Sequence, residues 1–234
     1  MNRVAKFYKT VAVCEDGGAF TVRLDDRTIK TPARAPLALP TLKLAEAVAA
    51  EWRAQEELLD PTTMPLTRLA YAAIDTAPHH RARIADEILG YGGSDLLCYR
   101  ADAPQALVAR QAEAWNPLLD WAAERFGARL AIGAGITFVE QSKESREAFA
   151  AAVTTRDDFA LVALHGAASL TGSLVLALAL VEERLSAWEA FALSRLDETF
   201  QNEAWGRDAE AEARAARLGQ ELAAIARFLR LARS

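Results

Sequence analysis

The sequence predicts an α+β protein: a small N-terminal antiparallel β domain in residues 1–40, then a larger, mainly α-helical domain in residues 41–234. Three observations carry that prediction. Phe20, Val22 and Leu24 alternate with Thr21, Arg23 and Asp25, the period of a half-buried strand. From Thr41 the apolar period becomes helical, with Leu42, Ala45, Val48, Ala49 and Trp52 on one face. Leu161–Val181 then runs for 21 residues without a formal charge, an all-round apolar element on which amphipathic helices can pack.

Taken in order, Tyr8–Cys14 and the strand through Leu24 flank Asp16-Gly17-Gly18, a hairpin signal because glycine accepts positive φ freely. A third short strand, Thr28–Lys30, follows Asp25-Asp26. Pro32, Pro36 and Pro40 rule out regular pairing and mark a hinge or a connection that follows the surface. After the first helix, Asp60-Pro61 is a stop, and Pro65 suits the first turn of a helix ending near Ala77, before Pro78. Another helix is expected from His80 to Leu89, with Gly90, Gly92 and Gly93 loosening the chain after it. A helix follows Pro104, and Asn116-Pro117 predicts a break or kink by its likeness to an N-cap and N1 pair. Arg129–Glu140, with Ile132, Ile136, Phe138 and Val139, reads as a strand or an extended linker. Everything beyond Ser142 reads as helical.

The apolar run could span a bilayer by length. His165, Gly166, Ser169, Thr171, Gly172 and Ser173 interrupt it, and both flanks are acidic with no basic cluster to orient it. It reads instead as two buried helices meeting near Ser169–Gly172, the second capped by Ser169 or Thr171. Further on, Ser186 and Glu189 form a capping-box pattern, and Leu218, Leu222, Ile225 and Leu229 give the last helix its stripe.

A net charge of −5 and the lack of a basic stripe argue against a nucleic-acid partner. Cys14 and Cys98 lie far apart without CxxC companions, which points to a reducing compartment. The first ten residues lack a signal-peptide apolar core, so the expected location is cytoplasmic. His79 and His80 are adjacent and diverge on a helix, and His165 reads as a satisfied core histidine. Zinc spacings, calcium loops, phosphate loops and nucleophile elbows are missing from the sequence, so no metal, cofactor or catalytic residue is assigned.

The densest polar and aromatic cluster is Leu196–Ala211. On a helix Glu198, Gln201 and Trp205 share a face with Asp197 beside them, and Gly206 and Asp208 would end that helix and cap the next. One reading is a solvated acidic face with Trp205 in the core. The other is a binding surface, with carboxylates and a glutamine beside an aromatic anchor. A rival reading makes Asp197 and Glu198 the paired carboxylates of a hydrolase between the β and helical parts. Neighbouring residues diverge on a helix, which disfavours joint acid–base work.

Motifs in order along nearly the whole chain resemble the assembly chaperone of the F-type ATP synthase catalytic head that attends the α subunit. They are Arg23-Leu-Asp-Asp-Arg27 with Lys30-Thr31-Pro32, Glu51-Trp52 with Gln55, Met64–Thr67 through Ile74-Asp75, Asp95–Arg100, Trp115-Asn-Pro117 with Trp121, Gly172-Ser173, and Asp197-Glu198, Gln201, Trp205-Gly206. Departures fall at Asp26, where glycine is usual, at Tyr71 and Asn116, and at Gly93-Ser94. The resemblance implies a monomeric, ATP-independent chaperone without cofactor or membrane insertion. It would bind the unassembled α subunit, prevent its aggregation and hand it to the β subunit. It also implies that Glu198 is the essential carboxylate, with Asp197, Gln201 and Trp205 around it as partner-binding residues.

Overall fold

The hairpin forms where the glycines allow it. In the computed structural model, which describes residues 4–135, 137–206 and 208–233, β1 (Val11–Asp16) and β2 (Ala19–Leu24) pair antiparallel with Asp16 opposite Ala19. Gly17 and Gly18 turn between them at φ +59° and +83°, the two left-handed residues that a tight hairpin of matching twist requires. A two-residue β3 (Arg27–Thr28) completes an antiparallel sheet in the order β1-β2-β3. Asp25 takes the left-handed position of the β2–β3 turn at φ 53°. Its carboxylate accepts the backbone N–H groups of Lys9 and Thr10 at 3.0 and 2.8 Å, which anchors a turn lacking the usual glycine. The proline segment makes only isolated bridges, such as Phe20 with Leu39.

The chain divides into two compact units, one of Met1–Arg81, Asp158–Ala163 and Ala224–Ser234, the other of Ala82–Asp157 and Leu164–Ala223. In the first, α1 (Leu42–Arg53) packs on β1 and β2. It buries Leu44, Ala45, Val48, Ala49 and Trp52, whereas Leu42, expected inward, stands half exposed. Glu51 ties α1 to α2 (Pro65–Tyr71): its carboxylate accepts from Leu66 N, Thr67 N and Thr67 Oγ1 at 2.7–2.8 Å. These are orphan donors of a first helical turn begun by Pro65. Asp75 likewise accepts from Thr31 Oγ1 at 2.6 Å and Ala33 N at 3.0 Å.

The regular helix is interrupted close to Pro78, at His80 rather than at Ala77. A π-helical turn, Ala72–Thr76, leads directly into α3 (Ala77–Gly93), and the bend falls at His80 (φ −131°, ψ 21°). A proline lacks an N–H and crowds the carbonyl four residues earlier, so a kink beside Pro78 is the expected consequence. His79 and His80 are both exposed. Gly92 belongs to the helix rather than a loop. A Cβ there would lie 2.9 Å from Leu174 Cδ2 and 3.1 Å from Phe149 Cδ2, so glycine serves close packing.

The second unit is built around α7 (Leu174–Val181), all eight of whose residues are buried. Burying each leucine or valine side chain contributes about 1.5–3 kcal/mol. Two buried helices do meet where the sequence indicates, α6 (Asp158–Thr171) ending at Gly172 with φ +68°. The cap is Ser173, neither Ser169 nor Thr171: Ser173 Oγ accepts from Leu176 N at 3.0 Å. Ser169 is exposed, and the Thr171 hydroxyl donates back to Ala167 O of its own helix at 2.7 Å. His165 is not a core residue. Its side chain is 36% exposed, with Nε2 2.9 Å from Glu87 Oε2, because α6 carries a polar edge at His165, Gly166 and Ser169. Among the described residues no helix is long and apolar enough to cross a membrane.

A long helix, α4 (Gln105–Phe126), passes through Pro117 without a break. The lost hydrogen bond is offset by burial of Trp115, Leu118, Leu119 and Ala122 around it. Asn116 does not cap. Its Oδ1 accepts from Arg100 Nη2 at 2.9 Å, and Trp115 Nε1 donates to Leu193 O at 3.1 Å. The 129–140 segment is mostly extended, with β5 (Gly133–Ala134) parallel to β4 (Tyr99–Arg100). Ile136 lies outside the described residues. Then come α5 (Lys143–Thr154), α8 (Ala187–Ser194), opened by the expected Ser186–Glu189 capping box, α9 (Leu196–Trp205) and α10 (Ala209–Arg233).

The N-terminus of α7 rests on Asp95, a fully buried carboxylate. Oδ1 accepts from Ser173 Oγ at 2.7 Å and Leu97 N at 3.0 Å, and Oδ2 from Val175 N at 2.9 Å. Burial pushes its pKa up from 3.8 to about 6 in spite of these donors. The folded state therefore holds a proton more tightly than the unfolded chain between those values. The stability tied to Asp95 is complete below 3.8 and is lost as pH rises through about 6. At about 1.4 kcal/mol per pKa unit, the loss is roughly 3 kcal/mol. Urea unfolding should show the wild-type advantage over Asp95→Asn shrinking by about that amount from acid to neutral pH. Asp95→Ala, which strands buried donors, should cost about 2–4 kcal/mol. A pH-independent difference would show that folding leaves the Asp95 pKa unchanged.

Candidate partner interface

The polar and aromatic cluster folds into α9, and α4 fixes its position. Leu107, Gln111, Trp115, Leu118 and Ala122 occupy the buried stripe of α4, and Gln111 is its one polar member, with no exposed surface. Gln111 Oε1 accepts from Ala101 N at 2.8 Å, while Nε2 donates to Asp197 Oδ1 at 2.7 Å in the first turn of α9. The neighbouring Arg110 reaches the last turns of the same helix. Its two terminal nitrogens donate to Glu203 at 2.6 and 3.0 Å, a bidentate pair. That contact holds the Glu203 carboxyl below the usual range, and it is exposed enough to add little stability. Two consecutive residues of α4 thus pin both ends of α9.

This arrangement separates the four residues that the sequence assigns to the partner. Asp197 is half buried and engaged inward by Gln111. Glu198 is half exposed, with Oε1 3.0 Å from Arg195 Nη1, one helical turn earlier. Gln201 is exposed, and Trp205 is 83% exposed at the end of the helix. Trp205 is therefore not in the core. Glu198, Gln201 and Trp205 share the outer face, as their spacing requires. Gly206 ends the helix at φ 94°, and Asp208 Oδ1 accepts from Glu210 N at 3.1 Å at the start of α10.

Asp197 and Glu198 have separate partners and diverge, so they form no paired-carboxylate site. The buried Asp95 has both oxygens committed to α7 and the turn before it. Among the described residues no cluster of potential ligands could hold a metal ion. What this face offers is an outward tryptophan beside a half-exposed carboxylate and an amide, groups suited to contacting another protein. Gln111 and Arg110 escaped the sequence reading. Gln111 was detectable in principle as a polar residue at an i, i+4, i+8 position of an apolar stripe.

Urea midpoints should divide these residues. Asp197→Ala leaves the buried Gln111 amide without its acceptor and should cost about 1–3 kcal/mol. Trp205→Ala and Gln201→Ala should stay within about 0.5 kcal/mol of wild type. An equally large cost for Trp205→Ala would place that ring against the fold.

Known proteins agree with this architecture. Residues 5–123 match the family model described as ATP12 chaperone protein. Protein atp12, mitochondrial, of Schizosaccharomyces pombe is 24% identical over 213 residues, covering 86% of this chain and 73% of the relative. The crystal structure of Atp12 from Paracoccus denitrificans superposes with a TM-score of 0.93 at 46% identity, covering 97% of this chain and 98% of that one. The Agrobacterium tumefaciens protein Atu1473, a chaperone candidate, gives 0.92 at 42% identity, covering 96% and 84%. By sequence and by fold, this chain belongs to the ATP12 chaperone family, the ATP synthase assembly chaperones whose motifs it carries.

Proposed function

We propose that this protein holds the unassembled α subunit of the F-type ATP synthase catalytic head, prevents its aggregation and releases it to the β subunit. It does so in the cytoplasm, as a monomer, without ATP or cofactor. The observation that carries the reading is the outward Trp205, 83% exposed, on a helix whose same face bears Glu198. An exposed tryptophan on a helix already formed and tied to α4 reaches a partner without a backbone-ordering cost.

An orphan subunit of a permanent ring exposes an apolar interface of about 2,000 Å² or more. A holding chaperone has to shield enough of it to stop aggregation, yet bind more weakly than the rightful neighbour. A few aromatic anchors with a charged rim meet both demands, because affinity follows such anchors more than area. Glu198 is the residue through which the rim acts in this reading, with Gln201 and Trp205 beside it. Asp197 acts by positioning the helix.

Glu198→Lys reverses that charge and costs the fold only a half-exposed ion pair with Arg195. Light scattering of α subunit refolding beside equimolar chaperone should show protection by the wild type. Glu198→Lys should lose most of that protection while its thermal midpoint moves by no more than a few degrees. Equal protection by both proteins would remove Glu198 from the interface.

A further inference from the structure

A groove of about 680 Å³ opens between α8, α9 and α10, beside the face that carries Glu198. Trp188, 75% exposed, and Phe191 form one wall, and Asn202 and Glu203 of α9 form the other. Asn202 stands only about 40° around the helix from Glu198, so groove and outer face are continuous. The floor is α10, where Ala215, Ala216, Gly219 and Ala223 present almost no side chain. An ideal Cβ at Gly219 would sit 3.5 Å from the Phe191 ring, so the floor lies directly on the wall's aromatic base.

We propose that this groove seats an amphipathic helix of the client, with a stripe of large aliphatic residues and lysine or arginine along its flanks. The proposal rests on the chaperone reading above. The chemistry of the walls selects the occupant. All three elements around the groove are helices, so no strand edge is available to pair with an extended segment. An extended chain laid on this mainly apolar surface would leave backbone N–H and C=O groups unpaired, whereas a helix satisfies its own. The floor from Glu212 to Ala223 is about 16 Å long at 1.5 Å per residue, room for three turns. Alanine and glycine let a second helix approach to about 8 Å between axes, with its own leucine-sized side chains filling the space. The charge is equally selective. Residues 196–223 hold seven carboxylates against three arginines, so the region stays acidic even though Glu203 in the groove wall is paired with Arg110, and Glu212 lines the groove as well. A basic helix is drawn in and an acidic one repelled. Trp188 adds an aromatic face for an aliphatic or guanidinium contact.

The test uses a labelled 16-residue Leu/Lys amphipathic peptide, a scrambled peptide of the same composition, and a twin with glutamate for lysine. Binding to the full-length chaperone is read by fluorescence anisotropy. Wild type should bind the amphipathic peptide at least about tenfold more tightly than either control, and Ala216→Arg should lose about the same factor. Ala216→Ser, which leaves the groove open, should behave as wild type and shows that the site tolerates substitution. The peptide should also compete with the α subunit in the light-scattering assay. Equal binding of the scrambled peptide, or of the amphipathic peptide to Ala216→Arg, would overturn the proposal. So would a wild-type dimer that Ala216→Arg dissociates, which would assign the groove to a second copy. If wild type protects the α subunit but neither peptide nor Ala216→Arg affects this, the groove proposal fails and the chaperone reading stands. If wild type gives no protection, both fail.

Discussion

A helix without a polar side depends on its ends. All eight residues of α7 are buried, so water is not available to the amides of its first turn. Asp95 supplies the acceptor to Val175 and Ser173, and Ser173 in turn caps Leu176. The cost of holding that carboxylate in a dry interior appears as its pKa of about 6. The return is a fixed starting point for the most apolar element of the chain, against which α4 and α8 pack. Asp95 also caps the turn leading into β4, so a single side chain sets the beginnings of two elements. From β4, Arg100 spreads over the Trp115 ring of α4 with its guanidinium carbon 5.2 Å from the ring centre.

That order is passed to the surface through side chains of α4. Trp115 is held by the last residues of α8, and Gln111 and Arg110 hold the two ends of α9. Little of α9 is buried beyond Leu196. Its placement therefore rests on hydrogen bonds to α4 more than on apolar contact, and its outer face is left free of structural duty. This division gives Asp197 and Glu198 different surroundings. Asp197 faces the fold and sets the geometry. Glu198 faces out and is available to a partner.

The sequence made the architecture legible wherever a local rule decided it. The Gly17-Gly18 turn, the change of period at Thr41, the break at Gly172-Ser173 and the Ser186–Glu189 box follow from backbone freedom and nearby donors. It misled where tertiary packing outweighed a local preference. Pro117 looks like a break, yet the burial of Trp115 and its neighbours carries the helix through it. Gly92 looks like a hinge but is a close contact with Leu174 and Phe149. Trp205 could have belonged to the core or the surface, because amphipathic spacing names a face without saying which way it points. Gln111 stands out in the sequence only as a polar residue in an apolar stripe, since its partners Ala101 and Asp197 meet it in the folded chain. Several residues of the motifs that carry the resemblance, among them Glu51, Asp75, Asp95 and Asp197, are acceptors that join distant elements. Their resemblance therefore speaks for the fold as much as for the function.

The central claim is that the outer face of α9 touches the α subunit during assembly. Photo-crosslinking tests it most directly. A photoreactive residue at the exposed Gln201 should form an adduct with unassembled α subunit, and the adduct should fade when β subunit is added before illumination. The same probe at the exposed Glu15 of β1 should give far less. An adduct from Glu15 and none from Gln201 would contradict the account.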